Sequence, residues 1–301
     1  MAKESELIVS ARDGFALAAT IFEPESAPCR VVVLCGATAA KRSFYVAFAR
    51  FLSATGPAVM TFDYRGVGGS RPKSLRGFHA EMHEWATLDI AGALDFAEKR
   101  WPGVPIAALG HSSGGWSLGM VPNIARVDRI VMVASQNGNW RYWPRATRWR
   151  FAVIWYVIVP AVAHLGGYLP GWTGIGEDLP KGVGFELARW CRSRNFVFDA
   201  SERQRAYAAI RAPILAWSFT DDAYAPPAAV DALLAHFSGA NVESRRRSPS
   251  RVEGRIGHFG FFRDRFRDTL WAETAQWLAA GQAIRSVRGV RETHGQRAFR
   301  L

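Results

Sequence analysis

A serine at position 112 stands between two glycines, in the sequence Gly110-His111-Ser112-Ser113-Gly114. An apolar run, Pro105–Leu109, comes before this stretch, and residues with helical spacing follow it. The pattern predicts a strand, a tight turn with Ser112 at its apex, and then a helix. Glycines two residues either side of the apex are needed because so sharp a turn leaves no room for side chains. A serine held in this way exposes its hydroxyl, which could act as a nucleophile.

A serine hydroxyl is a poor nucleophile at neutral pH, so it needs a neighbouring base and a carboxylate behind that base. His258, in Gly257-His258-Phe259-Gly260, is the candidate base, and Asp221 and Asp222 are candidate acids. The serine motif alone is a weak signal. Its support is the chain order of serine, acid and histidine, each placed after a predicted strand. We predict no metal and no cofactor, because the other histidines show no ligand spacing.

Predicted strands and predicted helices alternate along the chain, and these elements must position the candidate residues. An Asp-Gly turn joins two hairpin strands, Glu6–Ala11 and Phe15–Phe22, at the beginning. Continuous apolar runs predict buried strands at Arg30–Leu34, Ala58–Tyr64, Pro105–Leu109, Arg129–Ala134 and Ala212–Ser218, and a charged edge strand follows at Asn241–Arg247. Apolar stripes predict helices between them, within 44–52, 79–101 and 230–237, and a last one carrying Phe266 to Leu278. The sequence therefore predicts an α/β fold with a mostly parallel sheet and helices on both faces.

The character of the sequence changes between residues 136 and 205. The stretch Phe151–Leu169 is apolar except for His164 and is long enough for a membrane span. Pro160, the pair Gly166-Gly167 and the need for strands on both sides to join one sheet favour an apolar cap instead. A helix lying on a membrane surface, beside Arg145, Arg148 and Arg150, is the alternative. Half of the twelve tryptophans lie in this segment: Trp140, Trp143, Trp149, Trp155, Trp172 and Trp190.

We therefore divide the chain into a core of residues 1–135 and 206–281, a cap insertion of residues 136–205 after the sixth strand, and a basic tail of residues 282–301. The tail has little to pack against and is expected to be mobile. The glycine-rich loop Arg65–Ser70 lacks the spacing of a phosphate-binding loop, so we interpret it as a structural turn.

The net charge is +12, and it comes from arginine-rich stretches within 141–150, 245–255 and 285–300. No aromatic-basic platform and no DNA-binding helix pattern accompanies the charge, so we predict no nucleic-acid partner. The polar start of the chain lacks the features of a secretory signal. Three cysteines without metal-type spacing indicate reduced thiols. These features together predict a cytoplasmic protein; they leave its oligomeric state open.

Residues from about 5 to 280 resemble the α/β-hydrolase superfamily, and most closely a group of predicted serine hydrolases near its serine-aminopeptidase and monoacylglycerol-lipase-like branches. The resemblance is carried by the serine turn, by Asp63–Ser70, by Asp221–Pro226 and by Gly257–Gly260. One departure is at the third strand, where Cys35-Gly36 replaces the His-Gly of many members.

The resemblance implies a catalytic triad of Ser112, His258 and Asp222, with Asp221 as the competing acid. It also implies that the backbone N–H groups of Ser113 and Ala37 hold the substrate oxyanion, with Thr38 as the next candidate after Ala37. Further candidate contacts to the substrate are Thr38, His111, Trp140, Trp155, His164 and Phe259. Packing is the favoured role of His111, and a satisfied core or cap histidine is the favoured interpretation of His164.

The expected activity is cleavage of a carboxylic ester, thioester or amide with a hydrophobic acyl or aromatic part through an acyl-enzyme on Ser112. The partner is then a small molecule, with peripheral membrane contact through the cap and the arginine clusters as a further option. Two alternatives remain open: an acyltransferase with the same triad, and a non-catalytic ligand-binding or membrane-surface protein of the same fold.

Overall fold

The structure is a computed structural model that describes residues 3–173, 176–252 and 254–280. In chain order its strands are β1 Lys3–Ser10, β2 Ala16–Glu23, β3 Val31–Cys35, β4 Ala58–Phe62, β5 Ile106–His111, β6 Val127–Val133, β7 Tyr168–Leu169, β8 Leu179–Pro180, β9 Ile214–Phe219 and β10 Val242–Arg247. The main sheet has eight strands in the order β1-β2-β4-β3-β5-β6-β9-β10, while β7 and β8 form a separate small pair. In the main sheet the pairs β1-β2 and β2-β4 are antiparallel, and all other adjacent pairs are parallel.

Helices follow the strands as the apolar stripes predict. The core helices are Val46–Ala54, a continuous helix made of Met82–Glu84, Trp85–Ile90 and Ala91–Arg100, then Ser113–Ser117, Pro227–Leu234, Arg267–Trp271 and Ala272–Ala279. Between β6 and β9 lie Trp140–Tyr142, Arg148–Val153, Ile154–Ile158, Val159–Gly166, Gly171–Thr173, Lys181–Arg192 and Ser201–Ala209. The mostly parallel α/β fold is thus confirmed, with strand boundaries shifted by up to three residues from those predicted. The predicted basic tail lies outside the described residues.

Alternate side chains of the central strands pack into two different layers. In β3, Val31 and Val33 belong to one hydrophobic layer, whereas Val32 and Leu34 belong to the other. Successive side chains of a strand point to opposite faces, so a strand covered on both faces is apolar throughout. The first layer also holds the helices at 82–100, 181–192 and 201–209, and the second holds those at 46–54 and 267–279.

The glycine-rich loop after β4 is held by buried charges. The Asp63 carboxylate accepts hydrogen bonds from the backbone N–H groups of Arg42, at 2.6 Å, and Gly69, at 2.8 Å. The Arg65 guanidinium pairs with Asp89, a fully buried carboxylate on the helix at 82–100, at 2.7 Å. Buried charges of this kind are tolerated when they are paired and hydrogen-bonded. These contacts support the interpretation of the loop as a structural turn.

Candidate active site

Ser112 lies at the apex of the turn between β5 and the helix Ser113–Ser117. Its backbone is in a rarely populated conformation, with φ +51° and ψ −114°, and its N–H donates to the Val133 carbonyl at 2.8 Å. A Cβ atom at Gly114 would lie 2.1 Å from the carbonyl oxygen of Cys35, and one at Gly110 would lie 2.3 Å from the Cα of Gly115. The close approach of three backbone segments therefore requires both glycines, and it holds the serine in its strained position.

His258 and Asp222 form a buried hydrogen-bonded pair. Nδ1 of His258 lies 2.8 Å from Oδ2 of Asp222, and both side chains are buried. The other carboxylate oxygen of Asp222 accepts from the backbone N–H groups of Tyr224, at 2.8 Å, and Ala225, at 3.0 Å. The carboxylate is thereby fixed, and it holds a proton on Nδ1 of the imidazole. The other ring nitrogen, Nε2, is then left with a lone pair that can accept a proton.

The neighbouring carboxylate, Asp221, has different hydrogen-bond partners. Its two oxygens accept the backbone N–H groups of Ile256, at 2.9 Å, and Gly257, at 3.0 Å. It therefore anchors the loop that carries His258 and contacts the loop backbone. Of the two candidate acids left open by the sequence, the one beside the imidazole is Asp222.

The two predicted oxyanion donors differ in the structure. Ser113 is the first residue of its helix, so its N–H has no partner within that helix. The N–H of Ala37 instead donates to the Tyr45 hydroxyl at 2.8 Å. Within the described residues, the Thr38 N–H has no acceptor, and Thr38 and Ser113 line the same cavity. The assignment to Ala37 therefore needs correction, because that N–H is already engaged, and Thr38 takes its place as the candidate donor.

His111 lies beneath Ser112 in a fully buried hydrogen-bonded chain. The Tyr45 hydroxyl lies 3.0 Å from Nδ1 of His111, and Nε2 of His111 lies 2.9 Å from the carbonyl oxygen of His258. Because Tyr45 accepts from Ala37, its own O–H donates to Nδ1, and His111 then donates from Nε2. Burial lowers the pKa of His111 well below its usual value, which agrees with a neutral ring. Burial likewise raises the pKa of Tyr45.

Ser112 and His258 open onto one cavity of about 420 Å³ under the segment between β6 and β9. Its wall is mainly aromatic and aliphatic. Three of the predicted substrate contacts, Thr38, Trp155 and Phe259, line it. The other lining residues are Ala37, Ser113, Trp116, Gln136, Gly138, Trp143, Phe151, Ile154, Ile158, Val159, Thr173, Leu187, Cys191, Phe196 and Tyr224.

Three predicted substrate contacts lie elsewhere. His111 is buried below the serine, as the packing interpretation expected. The Trp140 ring lies outside the cavity wall and is covered by the guanidinium of Arg141, 4.6 Å from the ring centroid. His164 is exposed, because it lies on the solvent side of the helical run 148–166. Neither Trp140 nor His164 lines the cavity, so both are corrected as substrate contacts, and the exposed His164 is not a core histidine either.

Sequence reasoning missed most of the cavity wall, although one signal was available. Phe151, Ile154, Trp155, Ile158 and Val159 recur at intervals of three and four residues, which places them on one face of a helix. That face lines the cavity. The remaining wall comes from distant segments that no local pattern connects.

Among the described residues, one cluster could hold a cation by geometry alone. The ligand atoms of Glu81, His83 and Glu186 lie within 4.8 Å of one another. No local pattern predicts this cluster, because Glu186 is 103 residues from His83 in the chain. Arg189 already places a positive charge 2.7 Å from a Glu186 oxygen, and His83 donates to Glu186 through its backbone N–H at 2.9 Å. We therefore interpret the cluster as an ion-pair contact between the helices at 82–100 and 181–192.

Comparisons with known proteins bear on the fold. Residues 26–165 match the model of a family described as serine aminopeptidase, S33. No curated protein matches the sequence. A soluble variant of monoglyceride lipase from Saccharomyces cerevisiae is similar in structure, with a TM-score of 0.67 and 14% identity over 93% of this chain and 95% of that one.

Two further solved structures are similar. An esterase from Pyrococcus furiosus has a TM-score of 0.63 and 14% identity, over 93% of this chain and 91% of that one. The protein Est1E from Butyrivibrio proteoclasticus, solved with ferulic acid bound, has a TM-score of 0.59 and 16% identity, over 92% of this chain and 99% of that one. At these identities the likeness establishes the fold, and the resemblance to the α/β-hydrolase superfamily is confirmed.

Proposed function

We propose that this chain, which has the α/β-hydrolase fold, is a serine hydrolase. It cleaves a carboxylic ester with an apolar acyl or aromatic part. The observation that carries this proposal is the meeting of Ser112 and His258 at one apolar cavity, with Asp222 2.8 Å behind the imidazole. The three residues come from three loops that follow β5, β9 and β10. The carboxyl ends of parallel strands are where sites form in such sheets.

In the proposed reaction the Ser112 hydroxyl attacks the ester carbonyl carbon while Nε2 of His258 accepts its proton. The Asp222 carboxylate stabilises the resulting imidazolium and keeps its orientation. Negative charge on the carbonyl oxygen is stabilised by the N–H groups of Ser113 and Thr38. The carbon–oxygen bond to the alcohol then breaks, and the alcohol leaves with the proton from His258.

Hydrolysis of the acyl-enzyme repeats these steps with water as the nucleophile. Water gives a proton to His258 and attacks the acyl carbon, and Ser112 recovers its proton when the acid leaves. The same acyl-enzyme could also pass its acyl group to an alcohol. Water and acceptor alcohol therefore compete in the second step, and only a product analysis separates hydrolase from acyltransferase.

The cavity wall supports the substrate class. Trp116, Trp143, Phe151, Trp155 and Phe196 line it together with aliphatic residues. Burial of apolar surface against such a wall contributes about 25 cal/mol per Å². An acyl chain or an aromatic acid gains from this burial, whereas an acetyl group is too small to use it. Among the similar structures, an esterase and a monoglyceride lipase bear names consistent with ester substrates.

The test is covalent labelling by a fluorophosphonate probe together with turnover of p-nitrophenyl esters of increasing chain length. We expect labelling of the wild-type chain, no labelling of Ser112→Ala, and unchanged labelling of Ser117→Ala, a serine of the adjacent helix. Medium-chain esters should be cleaved with a higher kcat/KM than acetate. Labelling that survives Ser112→Ala would overturn the mechanism, and a preference for acetate would overturn the substrate class. A new ester formed from added alcohol would identify an acyltransferase.

A further inference from the structure

The helical run from Arg148 to Gly166 has two apolar faces, and only one of them is used inside the protein. Phe151, Ile154 and Trp155 lie on the face that lines the cavity. Val157, which is 57% exposed, and Leu165, which is 85% exposed, lie outside the cavity wall and form the outer face. Only 11% of the run is buried, although it is long and apolar enough to cross a membrane. A helix that is hydrophobic on all sides normally has an apolar environment on all sides.

Exposed hydrophobic residues concentrate on this part of the surface. Among the described residues, eight of the twelve large hydrophobic side chains that are exposed lie between positions 142 and 172. They include the rings of Trp149, Tyr156 and Trp172. Exposed hydrophobic side chains that are concentrated in one part of a protein mark an interaction surface, whereas single scattered ones do not. Tryptophan and tyrosine are also the side chains that favour the boundary between water and lipid.

The charge beside this patch has one sign. Residues 129–176 contain no aspartate or glutamate, whereas Arg141, Arg145, Arg148 and Arg150 stand at the beginning of the helical run. None of these four arginines has a carboxylate partner among the described residues. The guanidinium of Arg150 lies over the ring of Trp149, 5.6 Å from its centroid. The acidic residues that follow, Glu177 and Asp178, are themselves paired with basic side chains.

We propose that the outer face of the run Arg148–Gly166, with Trp172 and the four arginines, docks on an anionic lipid surface. The helix lies in the plane of the interface, its apolar outer face in the acyl region and its arginines at the headgroup phosphates. A second copy of the chain is a poorer occupant, because two patches with four unpaired arginines each would repel. Spanning is incompatible with the fold, because β6 and β9, on either side of the segment, are neighbours in one sheet.

The docked position also indicates the class of substrate, an inference that rests on the hydrolase activity proposed above. The same run separates the lipid from the cavity that contains Ser112. Ile158 lines that cavity, and it is the next residue in the chain after the exposed Val157. An ester dissolved in the membrane could therefore reach Ser112 without passing through water. The substrate class is then a membrane-borne ester rather than a freely soluble one.

The test is co-sedimentation of the full chain with vesicles of phosphatidylcholine alone and with vesicles of phosphatidylcholine and the anionic lipid phosphatidylglycerol. We expect binding to the anionic vesicles that falls with added salt. The variant Val157→Gln/Leu165→Gln should bind at least about tenfold more weakly, because it loses buried apolar area. The variant Arg145→Gln/Arg150→Gln should lose a similar factor in affinity for the anionic vesicles. Each arginine near an anionic surface raises that affinity roughly fivefold.

Matched controls separate this surface from general effects. Ile8→Gln removes an exposed hydrophobic residue of β1, and Arg50→Gln/Arg100→Gln changes the net charge equally at distant sites, so both should bind as the wild type does. Ser112→Ala should also bind normally, which separates docking from catalysis. Absence of binding to anionic vesicles, or equal losses in the controls, would overturn the proposal. A dimer in solution that Val157→Gln/Leu165→Gln disrupts would identify a second copy as the occupant.

The turnover arm uses one ester in two forms, dissolved in water and incorporated in anionic vesicles. Wild type and the outer-face variants should hydrolyse the soluble ester equally, whereas the variants should lose activity on the incorporated one. If vesicles bind but neither ester is hydrolysed, the proposed reaction fails and the docking surface stands. If the variants hydrolyse incorporated ester as fast as the wild type, the membrane route to the substrate is wrong.

Discussion

The Tyr45 hydroxyl lies 3.0 Å from Nδ1 of His111 and joins three loops of the candidate site. At one end, Tyr45 accepts the N–H of Ala37 in the loop after β3. At the other end, His111 donates to the carbonyl oxygen of His258. Each donor in this chain has one acceptor, so the tautomer of His111 follows from the contacts. Tyr45 and His111 thus act as positioning residues that fix His258 relative to Ser112.

Removal of the Tyr45 hydroxyl should disturb this positioning. Tyr45→Phe leaves the Ala37 N–H and Nδ1 of His111 buried without partners, which costs about 1–3 kcal/mol of stability. We expect kcat for a soluble ester to fall while KM changes little, because the binding cavity stays intact. Tyr207→Phe is the control, since it also loses a buried hydrogen bond, to the Trp116 carbonyl. Equal losses of kcat in both variants would show a general packing effect.

Substitution of Asp222 should lower kcat much more than substitution of its neighbour Asp221. Asp222→Asn removes the charge behind the imidazole and favours the wrong tautomer, so kcat should fall by about 10³ to 10⁴. Asp221→Asn should change kcat less than about tenfold, because its contacts are to the loop backbone. The measurement is kcat for a p-nitrophenyl ester, with circular dichroism to verify folding. The reverse order of effects would assign the acid role to Asp221.

The glycines of the serine turn should differ from other glycines in their tolerance of a methyl group. Gly114→Ala places a Cβ 2.1 Å from a backbone oxygen that cannot move aside, so we expect a loss of more than about 3 kcal/mol. Gly77→Ala is the control, because its φ is +77° and nothing lies within 4 Å of its Cβ position. It should cost only about 1–2 kcal/mol of backbone strain. Chemical denaturation compares the two, and equal losses would contradict the proposed crowding.

The contact between His83 and Glu186 should make stability depend on pH. A hydrogen bond to Glu186, 3.0 Å from Nδ1, raises the pKa of His83, against the effect of partial burial. A folded-state pKa above the unfolded one stabilises the fold fully below the unfolded value, about 6.5 for histidine. The contribution is lost as the pH rises through the folded-state pKa.

The variant His83→Gln isolates this contribution. Glu81, Glu84 and Arg189 also act on the cluster, so the quantity to compare is the difference in Tm between wild type and variant from pH 5 to pH 9. The difference should be largest at low pH and shrink as the pH rises. A difference that is constant with pH would mean that protonation of His83 adds no stability.

Local sequence determined the strands, the serine turn and the order of the candidate triad. Each of these follows from short-range physics: an apolar run for a strand covered on both faces, and glycines at Gly110 and Gly114 where backbones approach closely. The chain order of Ser112, the acid pair and His258 could also be predicted, because each lies in a short local motif. Placement after successive parallel strands then predicts that the three lie at one edge of the sheet.

Only the tertiary structure decides which hydrogen-bond partner each polar group of the site has. Asp221 and Asp222 are identical and adjacent in sequence, and only the folded loops place one beside the imidazole and the other on backbone N–H groups. The Ala37 N–H was expected to face the substrate, but the hydroxyl of Tyr45, eight residues away, takes it. The sequence offers two interpretations of His164, a substrate contact or a satisfied core or cap histidine, yet the helix turns its side chain to solvent. The direction of a side chain and the partner of a donor depend on contacts between distant segments, which local patterns do not record.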